Sequence, residues 1–141
     1  MDAFDLDRFV RAQEAGGTYA AALAELRAGR KRSHWMWFVF PQVAGLGRSH
    51  LAVSFALSSL EEAQAYLAHA VLGARLREGA QALLDLPGRD ANAVLGAVDA
   101  LKLCSSMTLF EAADPAEPVF DEVLERYFVG RRDPETLRLL G

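Results

Sequence analysis

The chain has 141 residues, 52% of them apolar and 24% charged, with a net charge of −4 and one cysteine. A chain of this length buries roughly 70% of its extended surface on folding, so one self-sufficient domain spanning residues 1–141 is expected, with no disulfide and no structural metal. No apolar run reaches the ~18 residues of a membrane span, the acidic start MDAFDLDRFV does not resemble a signal peptide, and the negative charge disfavours nucleic acid as a partner. A cytoplasmic protein is expected.

Apolar spacing of three and four dominates. Leu6, Phe9, Val10 and Gln13 share one helical face after Asp5 as N-cap, and Gly16-Gly17 ends that helix. Thr18 caps a second helix with Tyr19, Leu23 and Leu26 inward and Gly29 at its C′ position. Trp35 to Phe40 is a solid apolar run stopped by Pro41, and Leu51 to Leu57 is equally aperiodic. The two could pair as a hairpin across Gly45 and Gly47, but an isolated two-stranded ribbon is only marginally stable, so both are assigned as short buried helices.

Capping boxes at Ser58 with Glu61 and Ser59 with Glu62 start a helix carrying Leu60, Ala63 and Leu67, which continues or kinks near Gly73 into a stripe of Leu72, Leu76, Gly79, Ala80 and Leu83. Pro87-Gly88 breaks it. Asp90 caps a long segment through Val94, Val98, Leu101 and Ser105 towards Phe110, ended by Asp114-Pro115. Val119, Phe120, Val123, Leu124 and Tyr127 form the next stripe, closed by Gly130, and Asp133-Pro134 opens a last short helix with Leu137 and Leu140. The fold class is therefore all-α, an irregular bundle of about seven to eight helices.

Charge is segregated. From Leu26 to Leu60 there is no Asp or Glu in 35 residues, while Arg27, Arg30, Lys31, Arg32 and Arg48 contribute five positive charges, leaving −9 on the other 106 residues. Both tryptophans and five of the thirteen aromatic residues lie in the same stretch, and rings beside guanidinium groups suit a ligand with a planar base and a phosphate. The plainer alternative is a solvated helix end beside core aromatics.

At Gly29-Arg30-Lys31-Arg32-Ser33-His34-Trp35-Met36-Trp37-Phe38-Val39-Phe40-Pro41-Gln42 the sequence resembles the domain of unknown function family 1810, a bacterial and fungal family. The resemblance extends to Gly45-Leu46-Gly47, Tyr66-Leu67-Ala68-His69, Lys102-Leu103, Ser105-Ser106-Met107-Thr108-Leu109-Phe110 and the tail, covering essentially the whole chain. Ala70 departs from it, since the family pattern usually has Pro after the histidine. The resemblance implies an all-helical fold and no established activity. The label calpastatin carried by some members describes a disordered inhibitor, which a chain with 52% apolar residues and repeated capped stripes does not resemble.

Three residues are candidates for chemistry: His34 as acid or base, Lys102 as anion ligand, and Asp99 to orient it or act as a general base. Asp99, Lys102 and Ser106 fall on one helical face, and Asp99 with Lys102 also reads as a simple ion pair. Arg30, Lys31, Arg32, Trp35, Trp37, Gln42, Ser105, Ser106 and Thr108 are the candidate ligand-binding residues, with Asp7 and Gln13 as further members. In the short helix assigned here Trp35 and Trp37 point to different sides, so at most one lines a pocket. The hydroxyls could equally bond back to helix carbonyls. His34, His50 and His69 lack zinc spacing, and neither a phosphate loop nor a dinucleotide fingerprint is present, so no metal or cofactor is implied. The expected function is binding of a small anionic ligand, a nucleotide or ADP-ribose-like metabolite, with hydrolysis or group transfer on it as an extension. The alternative is an interaction module that docks an acidic protein segment on the Arg27–Arg48 surface.

Overall fold

The computed structural model describes residues 2–141, and among them every regular element is a helix. Seven helices have seven or more residues: α1 (Asp7–Glu14), α2 (Thr18–Ala28), α5 (Leu60–Ala68), α6 (Leu72–Asp85), α8 (Ala97–Ala113), α9 (Pro118–Phe128) and α10 (Pro134–Leu140). Three are short: α3 (Met36–Val39), α4 (His50–Ser54) and α7 (Ala91–Leu95). The fold is all-α, as the stripes require.

The 17-residue α8 is the central element. Residues 105–110 are all buried, which marks a helix surrounded by others rather than lying on a surface. Its neighbours include α5, α7, α9 and α10. The buried apolar side chains form one cluster that includes Phe9, Trp35, Phe40, Tyr66, Phe110 and Phe120.

Several ends of elements differ from their sequence reading. Asp5 does not cap α1, because it takes a left-handed conformation (φ 51°); Asp2 instead accepts the Leu6 and Asp7 amides at 2.7 and 2.8 Å. Thr18 is the first residue of α2, and its hydroxyl donates back to the Ala15 carbonyl while Gly17 occupies the cap. Gly29 closes α2 in the left-handed region as expected. Of the two overlapping boxes before α5, only half of the later one forms: Ser59 Oγ accepts the Glu62 amide, the Glu62 carboxylate accepts the Ser58 rather than the Ser59 amide, and Glu61 stays exposed. Between α5 and α6 the chain breaks, with His69 Nδ1 accepting the Val71 and Leu72 amides at 3.1 and 3.2 Å.

The segment capped by Asp90 is not one long helix. Gly96 (φ 87°) separates α7 from α8 and rotates the register, so Val98 and Leu101 lie 68% and 71% exposed and the inner face runs through Ala100, Leu103, Met107 and Phe110. This break divides into two a segment that the apolar spacing reads as one helix. Asp133 caps α10 by accepting the Thr136 amide, but Leu137 is exposed and Thr136 is the buried member of that helix.

The Trp35–Phe40 run is indeed a short buried helix. Trp35 O accepts the Phe38 and Val39 amides, and Pro41, which has no N–H to donate, follows the last turn. The Leu51–Leu57 run is helical over α4 but not buried, for Leu51 and Val53 face solvent and only Leu57 is fully enclosed. The two runs touch through the Phe38 and Phe55 rings, and the single parallel bridge of Leu57 is to Val43, beyond Pro41, so no hairpin forms.

Candidate functional site

Two ammonium groups share one carboxylate where the basic segment meets α8. Lys31 Nζ lies 2.9 Å from Asp99 Oδ2 and Lys102 Nζ 3.4 Å from Asp99 Oδ1. The sequence pairs Asp99 with Lys102 through helical spacing; the structure adds Lys31 as the closer partner, held there by its amide on the Val94 carbonyl (2.7 Å) and its ammonium on Ser33 O. Lys31 is the most enclosed of the three, at 9% side-chain exposure. The cluster thus carries one uncompensated positive charge in a partly desolvated place, and such a charge attracts an anion far more strongly than an exposed lysine does.

Lys102 Nζ also stands 4.8 Å from the centroid of the Trp37 ring, within cation–π range. It lines a cavity of about 10 Å³ with Trp37, Gln42, Met36, Phe40, Ala52 and Phe55, space for about one water molecule. Trp37, Gln42 and Lys102, three of the residues singled out in the sequence, therefore come together.

Other candidates are placed elsewhere. Trp35 is buried, and its indole N–H donates to Glu25 Oε1 at 2.9 Å, which leaves it no surface to offer a ligand. The same carboxylate accepts the Arg32 and Ser33 amides and the Ser33 hydroxyl. Burial pushes the Glu25 carboxyl up, but the Ser33 hydroxyl, the Arg32 amide, the Trp35 indole and the Ser33 amide outweigh it and hold the group at about 2. Sequence reasoning missed Glu25, although it stands immediately before the acid-free run, where a carboxylate can fold that run back onto α2.

His34 is exposed and makes no hydrogen bond among the described residues. Arg30 and Arg32 are exposed as well, and their side chains have no carboxylate partner among those residues. Ser105 Oγ donates to the Leu101 carbonyl and Asp133, and Thr108 Oγ1 donates to the Cys104 carbonyl while accepting the Asp133 amide, so both serve to seat α10. Ser106 is fully buried on the Asp99–Lys102 face and its hydroxyl lacks a hydrogen-bond partner among the described residues. Asp7 pairs with Arg11 on the surface. Gln13 is interior: it donates to the Phe38 carbonyl at 2.7 Å and accepts from Arg75, which fixes α3 to α1 and α6.

No helix among the described residues is long and apolar enough to cross a membrane. No curated protein matches the chain. Its structure is similar to the crystal structure of a conserved hypothetical protein, Rv1873, from Mycobacterium tuberculosis, with 53% sequence identity and a TM-score of 0.95 over 99% of this chain and 98% of the other. The family model described as "Protein of unknown function (DUF1810)" matches residues 3–140, and the chain belongs to that family.

Proposed function

We propose that the protein binds a small molecule through an anionic group seated at Lys102, with Gln42 and the Trp37 ring as its walls. The observation that carries the reading is the charge imbalance of the Lys31–Asp99–Lys102 cluster beside a cavity, where the longer and more exposed of the two ammonium contacts belongs to the lysine that lines it. A single carboxylate satisfies Lys31 and leaves Lys102 able to accept a phosphate or carboxylate without losing its structural role. The flat Trp37 ring favours a planar body, so nucleotides and ADP-ribose-like metabolites are the ligand class, in a cytoplasmic setting that suits the single cysteine. Asp99 has ammonium groups on both oxygens and acts as a positioning group, while His34 faces solvent; the proposed function is accordingly binding rather than hydrolysis or transfer.

A thermal-shift panel of nucleotides, phosphosugars and NAD-derived metabolites tests this, with Lys102→Met in parallel. A ligand at ~100 times its dissociation constant adds about 2.7 kcal/mol, a shift of several degrees for a domain of this size. A shift that Lys102→Met abolishes supports the site. No shift across the panel, or one that Lys102→Met leaves intact, overturns it.

A second reading draws on the exposed Arg30, Arg32 and Arg48 side chains, which have no carboxylate partner among the described residues. They suit docking of an acidic protein segment. An interaction of that kind falls with salt and with Arg30→Gln and Arg32→Gln, and is indifferent to Lys102→Met.

A further inference from the structure

The cavity at Lys102 is closed from one side by a segment whose hydrogen bonds to the rest of the fold lie at its ends, with Leu46 packed against the core between them. Residues 42–44 and 57 form the base: Leu57 N–H donates to Gln42 O at 2.9 Å and Ala44 N–H to Leu57 O at 2.8 Å. Arg8 clamps the returning limb, with Nε on Ser54 O and Nη2 on Ala56 O. Phe55 is fixed edge-on against Phe9 and Phe38.

Between these anchors, among the described residues, positions 45–53 make hydrogen bonds only to one another and to the adjacent limb, such as Ala52 N–H to Ser49 Oγ and Phe55 N–H to Leu51 O. Val53 is 63% exposed, and Ala52 is the α4 residue that reaches the cavity. Gly45 (φ 105°) packs against the Leu139 side chain of α10, and Gly47 lies so close to α4 that a Cβ there would stand 2.5 Å from that of Ala52. The segment also carries Arg48, exposed and without a carboxylate partner among the described residues.

We infer that residues 45–53 form a hinged cover that swings about the Gln42–Leu57 base to open the Trp37–Lys102 cavity. The closed state has room for about one water, so an anionic group enters only when Ala52 moves away. Pivoting needs no hydrogen bond to the body of the protein to break, and Gly45 already occupies a backbone region that other residues rarely adopt. Arg48 rides on the cover, so its positive charge makes closure over a bound anion more favourable than closure over the empty site. The ligand in this scheme rests on the proposed anion site; the motion does not.

Amide hydrogen exchange of the full chain tests it. The Ala52, Val53 and Phe55 amides exchange roughly tenfold or more faster than those of Ala44 and Leu57, as expected for a local opening with an intact base. Equal protection of the two groups overturns the cover. Gly47→Val, which wedges α4 away from Gly47, speeds exchange over 48–55 and leaves the amides of α8 unchanged; an unaltered pattern in that variant also counts against it. Pyrophosphate is the probe for the ligand arm, and by holding the cover shut it slows the same amides in the wild type and less so in Arg48→Gln. Pyrophosphate that raises the unfolding temperature without slowing them overturns the cover and leaves the anion site standing. Fast exchange at Ala52 and Val53 with no pyrophosphate effect of either kind supports the motion and overturns the anion site.

Discussion

Arg8 and Glu62 stand 54 positions apart in the chain and meet at 3.0 Å with the carboxylate 3% exposed. Glu62 also accepts the Ser58 amide and hydroxyl, and Arg8 donates to the carbonyls of Phe4, Asp5, Ser54 and Ala56. One ion pair therefore joins the start of α1, the limb before α5 and the first turn of α5. Removing one partner of an enclosed pair leaves an uncompensated charge and costs more than the pair itself contributes. Arg8→Ala is expected to destabilise by ~3 kcal/mol, lowering the unfolding midpoint by roughly 10 °C in thermal denaturation. An equal loss in Arg8→Lys would show that the carbonyl fork matters as much as the charge, since a lysine cannot span all these acceptors.

Glu25 makes stability depend on pH in the acid range. Burial raises its carboxyl, but the Ser33 hydroxyl, the Arg32 amide, the Trp35 indole and the Ser33 amide together hold it at about 2 in the folded protein, against 4.5 for the free group. Because the folded value is the lower one, the contribution is fully present above pH 4.5, declines as the pH falls through that value, and is gone below about 2. Urea unfolding between pH 6 and 2 is expected to show a steeper loss for the wild type than for Glu25→Gln. The curves converge at the acid end.

How far the fold is legible follows from which residues carry local signals. The stripes of α6 and α9 and the Asp133 cap depend on neighbours within one or two turns, and they stand where periodicity puts them. Gly96 looks like any helix-tolerated glycine in sequence; only its positive-φ backbone, fixed by the packing of α7 against α8, turns Val98 and Leu101 outward. At the candidate site, the spacing of Asp99 and Lys102 is local and visible, whereas Lys31 reaches Asp99 across 68 positions and nothing in either stretch announces it. Trp35 and Trp37 are separable in sequence as a pair facing opposite ways, but which of them meets the cavity depends on Glu25 claiming the indole of the other.

Close approach between α5 and α6 makes Gly73 irreplaceable. A Cβ there would collide with the Leu67 carbonyl oxygen, and that carbonyl belongs to backbone that cannot swing aside. Gly73→Ala is expected to cost ~2–3 kcal/mol through forced separation of the two helices. His69→Ala, which removes the acceptor for two α6 amides, is expected to cost about 1 kcal/mol, the usual value of a helix cap. The ordering of the two variants in a chemical denaturation series distinguishes a packing limit at Gly73 from a capping limit at His69.

The Lys31–Asp99–Lys102 cluster predicts opposite behaviour for its members. Asp99→Asn leaves two ammonium groups facing each other with no carboxylate between them and is expected to destabilise by ~3 kcal/mol. Lys102→Met removes the uncompensated charge and lays a thioether on the Trp37 ring, so its stability should stay within ~1 kcal/mol of the wild type. Double-mutant cycles are expected to give Asp99 a coupling of ~1–3 kcal/mol with the enclosed Lys31 at 2.9 Å, and under ~1 kcal/mol with the more exposed Lys102 at 3.4 Å. That asymmetry is what assigns the two lysines different tasks, because a residue held for stability should couple strongly to its partner and a residue kept for a ligand should not. Equal coupling would make the cluster a structural triad and remove the charge argument for an anion at Lys102.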